Sequence, residues 1–326
     1  MHFVIIHLGT TKARHLRPNL QRLSYLFPEI PITLIYSDLT FFRDYEDLPI
    51  NFYKYSEQND KSHILNNLNH NSKFRHNFWR YSIERLFALA DWHSLHTDAR
   101  VLHLESDILI MPNFPIEKFA SVQTISWCSF NESHDVASIV FSPSHFETVW
   151  MSKEIESLLS EDSTLTDMTA LRTLKLKYPE KIDYLNAQSA IKIFGGIFDA
   201  APFGMWLCGR DPRNHKGVTR RFLALPESDL DPSLAKFSLS REGNLEIEFP
   251  GNPATNLFNL HIHSKQIAIF KKNWQLVVAL YVLTSRIKFP KFWFSPSSFI
   301  QLLSDAFGRH GLRIFWVLFR NMIERR

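Results

Sequence analysis

The chain has 326 residues, 45% hydrophobic and 14% aromatic, and carries a formal net charge of +4. That length and apolar content allow one large α/β domain with an appendage and supply material for a large core. Two cysteines, ten glycines and the absence of any G-x-G-x-x-G or P-loop pattern exclude a disulfide framework and the common dinucleotide and NTPase classes.

Taken in chain order, the apolar run 3–8 predicts a first strand that leads into Gly9 and Thr10. Its start is not basic and the run is short, which argues against a signal peptide. A helix is predicted over 17–26, a second strand over 32–36 that ends at Ser37-Asp38, and a short strand over 52–55. The polar, Asn-rich stretch 57–77 reads as a loop or a pair of helices. A helix over 78–90 carries Arg80 and Arg85, and a strand follows over 101–104. Further strands are expected over 125–130 and 137–142, and a hairpin joins 237–240 to 245–249 through Glu242 and Asn244. Alternating strands and helices imply a mostly parallel sheet with helices on both faces. Ligands bind such sheets at the carboxyl ends of strands. Thr10 and Asp38 sit at two such ends and are candidates for base and ribose contacts.

The strand over 101–104 runs directly into Glu105-Ser106-Asp107. Side chains two residues apart in an extended strand end point the same way, so both carboxylates can face one spot. Such a pair suits a hard divalent cation, Mn²⁺ or Mg²⁺, able to bind a diphosphate and stabilise it as a leaving group. A plain solvated acidic turn is the competing reading. Three further segments bear on the choice. In 258–265 the apolar residues Phe258, Leu260 and Ile262 alternate with Asn259, His261 and His263, which places both imidazoles opposite the core face, and Lys265 follows as a point charge for phosphate. These histidines could equally belong to a half-exposed edge strand. The stretch 198–214 lacks periodicity and reads as loop and turn. Its Asp199, Trp206 and Asp211 suit sugar recognition, or its aromatics plug the core. Met168, Leu171 and Leu174 recur at helical spacing, and Thr164 with Asp167 resembles a capping box. Asp167 is then either part of the cap or an acidic group at a helix start facing a cleft.

With these residues in place, the chain resembles the GT-A glycosyltransferases, and in particular bacterial enzymes of surface-polysaccharide (capsule or lipopolysaccharide) synthesis. The resemblance covers roughly residues 1–270 and rests on Glu105-Ser106-Asp107, Asp167, and His261, His263 and Lys265, with the Phe198-Asp199-Ala200-Ala201 run beside them. It implies a GT-A-like α/β fold and metal-dependent transfer of a sugar from a nucleotide-sugar donor to a glycan or lipid-linked acceptor. It implies Asp107 as the principal metal ligand, Glu105 on metal or donor ribose, and His263 or His261 completing the metal shell. Lys265 would neutralise the departing diphosphate, and Arg85 would pair with the acidic motif or the phosphates. Asp167 would contact donor sugar or acceptor and act as base if the reaction inverts, with Asp199, Trp206 and Asp211 on the acceptor side. Glu stands where the family's first Asp is usual. The other readings are a GT-A-like domain that binds glycan or nucleotide without turnover, and a metal-dependent phosphohydrolase.

The C-terminal region 271–326 differs from this body. It holds ten Lys and Arg against Asp305 and Glu324, so the remainder of the chain is net negative. It is also rich in aromatics, and a helix over 312–326 would be amphipathic. Such a helix is expected either on an anionic membrane surface or packed on the body or a second copy of the chain. The basic residues are too sparse for nucleic acid. No stretch approaches the roughly 18–20 apolar residues of a membrane span. The expected setting is the cytoplasm, with the tail at the inner face of the cytoplasmic membrane.

Overall fold

The computed structural model describes residues 1–10, 13–38, 43–56, 59–70, 74–211, 227–240 and 244–265, with 213, 221–222, 225, 242, 267–270, 278–279 and 282. In chain order the strands and helices are β1 (His2–His7), α1 (Leu16–Leu26), β2 (Ile32–Tyr36), β3 (Asn51–Lys54), α2 (Asn59–Asn66), α3 (Phe78–Leu95), β4 (Val101–Leu104) and β5 (Ile108–Ile110). Next come β6 (Ile125–Asn131), β7 (His134–Ser142), α4 (His145–Glu161), α5 (Asp167–Lys177), β8 (Ile182–Tyr184), α6 (Gln188–Phe194), β9 (Gly196–Ile197) and α7 (Pro202–Cys208). The last four strands are β10 (Lys236–Leu239), β11 (Leu245–Glu248), β12 (Thr255–Leu257) and β13 (Asn259–His261).

The main sheet has seven strands in the order β3-β2-β1-β4-β7-β6-β8. All neighbours are parallel except where β7 runs against β4 and β6. This is the mostly parallel α/β sheet that the alternating pattern implies. Central strands covered on both faces read as continuous apolar runs, and β1 shows why. Phe3 and Ile5 pack with Leu16, Leu20 and Leu23 of α1, whereas Val4 and Ile6 pack with Ala88, Leu89 and Trp92 of α3. A third cluster joins Ile83 and Leu86 of α3 to Met151 and Ile155 of α4 and Leu171 of α5. Register places His7 beside Tyr36 and Ile5 beside Leu104, so β1, β2 and β4 end at one edge. The Gly9 N–H donates to Ser37 Oγ at 2.9 Å and ties two of those ends together.

A smaller sheet, β10-β11-β12-β9, contains the expected hairpin, and β13 pairs with β5 in a separate antiparallel ladder. Leu109, Leu260, Ile262, Phe203 and Phe237 form the core between them, which also takes in Val278 and Val282. The chain divides into a compact unit Met1–Val282 and a second unit Leu283–Arg326. The second unit lies outside the described residues, as does nearly all of the basic, aromatic region expected from 271 onward, including the helix over 312–326. Among the described residues, no helix is long and apolar enough to cross a membrane. Both cysteines are buried free thiols.

Two local expectations are corrected. The cap of α5 is Thr166, not Thr164: Thr166 Oγ1 accepts from the Thr169 N–H, and the Thr166 N–H donates to Thr169 Oγ1. Thr164 instead donates from its N–H and hydroxyl to Asp162. Asp167 is therefore the first helical residue, and its carboxylate does not serve the cap. The stretch 198–214 is also not all loop, because α7 lies within it. Pro202 opens that helix with a preset φ, and its first N–H groups find an acceptor in Asp199.

Candidate active site

Glu105 leaves β4 with its N–H on the Ser138 carbonyl at 2.9 Å, and the Ile108 N–H returns to the Glu105 carbonyl at 3.1 Å. The tight turn between them is fastened from α1. Asn19 Nδ2 donates to the carbonyls of Ser106 and Ile108 at 3.0 and 2.9 Å, and His15 Nε2 shares a hydrogen bond with Ser106 Oγ at 3.0 Å. Both acidic side chains then face one point.

The β13–β5 ladder brings the histidine. His261 stands opposite Ile108, and the Ile262 N–H donates to the Asp107 carbonyl at 2.9 Å. His261 Nε2 lies 3.0 Å from Glu105 Oε2 and 3.6 Å from Asp107 Oδ1, and Lys265 Nζ lies 3.4 Å from Asp107 Oδ2. One ligand atom from each of Glu105, Asp107 and His261 falls within 4.8 Å of the others. His261 Nδ1–H donates to the Ala200 carbonyl at 2.8 Å. That bond fixes the ring and turns Nε2 toward the carboxylates, the outer-shell arrangement that histidine ligands of metals show. Two carboxylates and an imidazole nitrogen at a buried point fit Mn²⁺ or Mg²⁺ in ligand type, and the nitrogen favours the former.

The support beneath His261 is Asp199. Its carboxylate is fully buried and accepts the N–H groups of Phe203, Gly204 and His261 at 3.1, 2.8 and 2.9 Å. Asn259 clasps its backbone from both sides, Nδ2 donating to the Asp199 carbonyl and Oδ1 accepting from its N–H. Gly204 lies so close that a Cβ there would come within 2.0 Å of the His261 carbonyl oxygen. Asp199 therefore faces backbone and lies outside the wall of the cleft.

Arg85 reaches from α3 into this centre. Nη1 pairs with Glu105 Oε1, and Nη2 lies 2.7 Å from Asp167 Oδ2. Burial disfavours ionisation of Glu105, but the charges of Arg85 and His261 outweigh it and hold the carboxyl well below its ordinary range. Burial likewise opposes Asp107, which Lys265 and His261 keep ionised. The reciprocal effect raises His261: burial disfavours its imidazolium, and the two carboxylates more than offset that. His263 behaves oppositely. Its ring centroid is 4.0 Å from that of His261, and burial and the neighbouring charge push it down to about 3. The two imidazoles thus divide: His261 joins the acidic pair, and His263 lies against it as a neutral ring, the two planes tilted by 39°.

These groups line a cleft of about 590 Å³ at the carboxyl end of the sheet, with Arg85, Glu105, Asp107, Asp167, Asp211, His261, His263 and Lys265 in its wall. Thr10 is exposed and Asp38 half-buried at the ends of β1 and β2, and neither stands among the described wall residues. Trp206 is half-buried, packs against the small-sheet core and meets Phe222 edge-on with ring centroids 5.7 Å apart, while its neighbour Met205 lines the cleft. Asp211 is in the wall, but its carboxylate is engaged by Arg75 at 3.2 Å and by Arg213 at 2.7 Å. Sequence reasoning missed Asn19, His15, Ala200 and Arg75, whose roles depend on contacts far along the chain.

No protein-family model matches the chain, and no curated protein sequence matches it. Among solved structures, the galactosyltransferase LgtC in complex with donor and acceptor sugar analogues aligns with 57% of this chain and 73% of its own, at 12% identity and a TM-score of 0.41. An active-site mutant of LgtC aligns with 70% of this chain and 85% of its own, at 10% identity and a TM-score of 0.42. The glycosyltransferase GlyE of Streptococcus pneumoniae TIGR4, in its apo form, aligns with 56% of this chain and 44% of its own, at 11% identity and a TM-score of 0.35.

Proposed function

We propose that the chain is a glycosyltransferase that moves a sugar from a nucleotide-sugar donor to a glycan or lipid-linked acceptor, with Mn²⁺ or Mg²⁺ held by Asp107, Glu105 and His261. The observation that carries this reading is the convergence of those three ligand atoms within 4.8 Å, with Lys265 beside them, at the carboxyl end of a mostly parallel sheet. When bound, the cation supplies positive charge against the donor diphosphate. Lys265, 35% exposed at its side chain, exchanges its pairing with Asp107 for a phosphate oxygen as negative charge builds on the leaving group. Arg85 holds Glu105 and Asp167 in place across the cleft floor. Asp167 accepts a hydrogen bond from a hydroxyl of the donor sugar or acceptor. Binding of the cation requires loss of the His261 Nε2 proton, because a protonated nitrogen has no lone pair to give.

The C-terminal region, from its sequence, is assigned to hold the protein against an anionic membrane surface where a lipid-linked acceptor resides. Flotation with anionic and neutral vesicles at low and high salt tests that part.

The central test is incubation with Mn²⁺ and a panel of UDP-, GDP- and CMP-sugars, with released nucleotide measured with and without acceptor mixtures. Cation-dependent release of a nucleoside diphosphate or monophosphate, lost in Asp107→Ala, is expected. Donor binding with no release in any mixture would make the chain a binding protein. Release of phosphate from phosphomonoesters with no sugar transferred would make it a phosphohydrolase.

A further inference from the structure

One part of the cleft wall is built from a backbone that few sequences tolerate. Arg75, His76 and Asn77 have φ of 48°, 55° and 65°, three successive left-handed residues of which none is glycine. Such conformations persist only where surrounding contacts enforce them, and they concentrate at functional sites. Here they deliver three aromatic rings to the cleft. Phe74 and Trp79 stack with centroids 5.7 Å apart and planes 13° apart, and Phe78 meets both edge-on at 6.1 and 5.1 Å. The Phe78 N–H donates to the Phe74 carbonyl at 3.2 Å, closing the turn that joins them. All three rings line the cleft, and Phe78 remains 36% exposed. The Arg75 guanidinium lies 5.1 Å from the Phe74 ring and 5.5 Å from the Phe78 ring, and its Nη1 pairs with Asp211.

We infer that Phe74, Phe78 and Trp79, with the Arg75 guanidinium over the Phe74 and Phe78 rings, form a subsite for a pyranose ring of the acceptor. A pyranose presents one face of C–H groups and a girdle of hydroxyls. The first matches the negative face of an aromatic ring, and the second matches the charged guanidinium of Arg75 beside the rings. A purely apolar occupant such as a lipid chain would lie against the Arg75 guanidinium and offer it no hydrogen bond. A nucleobase has a better-placed home in a separate hollow of about 430 Å³ at the ends of β2 and β3, lined by Ser37, Lys54, Tyr55 and Tyr81. Entry from solvent across the exposed edge of Phe78 also suits the second substrate of a transfer reaction. The inference rests on the proposed glycosyl transfer for the word acceptor, but not for the claim that the rings bind sugar.

The test uses the full chain and methyl pyranosides as probes, without donor. Saturation-transfer NMR from the aromatic protons is expected to light the C–H face of one or more glycosides, and an acyclic hexitol is expected to give no signal. Phe78→Ala should weaken that binding about tenfold, the scale of one aromatic pair, and a melting curve of the same variant shows that the fold persists. Phe78→Trp should restore it. With an active donor, the acceptor KM should rise in Phe78→Ala by the same factor. Glycoside binding unaffected in both Phe78→Ala and Phe74→Ala would overturn the assignment, as would uridine or geraniol taking the rings while no glycoside does. Sugar binding lost in Phe78→Ala, in a protein that turns over no donor, upholds the subsite and removes the proposed transfer. Donor turnover with an unaltered acceptor KM in Phe78→Ala upholds the transfer and removes the subsite.

Discussion

Glu105 and Asp107 leave a single strand end two residues apart, whereas His261 reaches the same point from β13 through Asp199, Ala200, Gly204 and Asn259. The carboxylates owe their convergence to the tight turn that follows β4, closed between Glu105 and Ile108 and pinned by Asn19, and not to a strand pleat. The imidazole owes its position to long-range hydrogen bonds that also stitch α7 to β13. A group placed by local geometry can be exchanged with little harm to the fold. A group placed by its scaffold shares its fate with that scaffold.

The sharpest way to break this contrast is to remove the scaffold. Asp199→Ala strips three buried N–H groups of their acceptor at once, which should cost about 5 kcal/mol of unfolding free energy. Urea denaturation checks it, and a loss below about 1 kcal/mol would show that α7 and β13 are held by packing alone. Gly204→Ala should act in the same direction by pushing its Cβ into the His261 carbonyl.

Asp107→Ala is the counterpart on the locally built side. Cation-stimulated donor cleavage should fall by about 10³-fold, while the urea midpoint stays near that of the parent protein. Near-normal Mn²⁺-stimulated turnover in this variant would remove Asp107 from the site. A smaller loss, about 10²-fold in donor cleavage, is expected for Lys265→Ala, with Lys265→Arg recovering part of it. Single-turnover measurement separates this from an effect on donor binding.

The last effect is spread over a pH range, concerns protons and lies in the α1–β4 region. Burial pushes His103 down to about 4, aided by the nearby Arg85 charge, and burial lowers His15 to about 4 against the pull of Asp107. Both titrate near 6.5 once unfolded. The unfolded chain therefore binds more protons below that value, and stability falls as pH drops from 6.5 toward 4. Each histidine contributes up to about 1.4 kcal/mol per pH unit in that window, and the loss levels off below pH 4. Urea midpoints from pH 7 to pH 4 check the slope, which should shrink by one proton in His103→Phe.

The same division governs what could be read from the sequence. The strand over 101–104 and the mostly parallel sheet follow from apolar runs, and the Glu-x-Asp pair is visible at that strand's end, all local signals, although a turn and not the expected pleat brings the two carboxylates together. Arg85 is a less local case: the sequence places it on a helix, but only the packing of α3 against β4 and α5 sets it between Glu105 and Asp167. Thr164 and Thr166 are both competent to cap α5, and residue type does not rank the bonds that decide it, Thr164 to Asp162 and Thr166 to Thr169. β5 continues from Asp107 in three residues, too few to show a period, and its partner β13 lies far along the chain. α7 is equally short. Asp199 has the look of a site residue, but its acceptors' partners are backbone groups, which leave no mark in a residue pattern. Trp206 suits sugar stacking by type, and only the small-sheet core determines that it packs inward.

The pairing of His261 with Ile108 has a consequence for how this chain can change length. Because successive residues of a strand face opposite sides, one residue inserted within 258–260 would present Leu260 to the carboxylates and turn His261 into the small-sheet core. The exposed turn at Gly251 and Asn252, only a few residues earlier, has no such frame to keep. Homologous chains should therefore vary freely in length at 250–254 and not at all between there and Lys265, so that an alignment gap in the second window marks a protein that has lost its acidic centre.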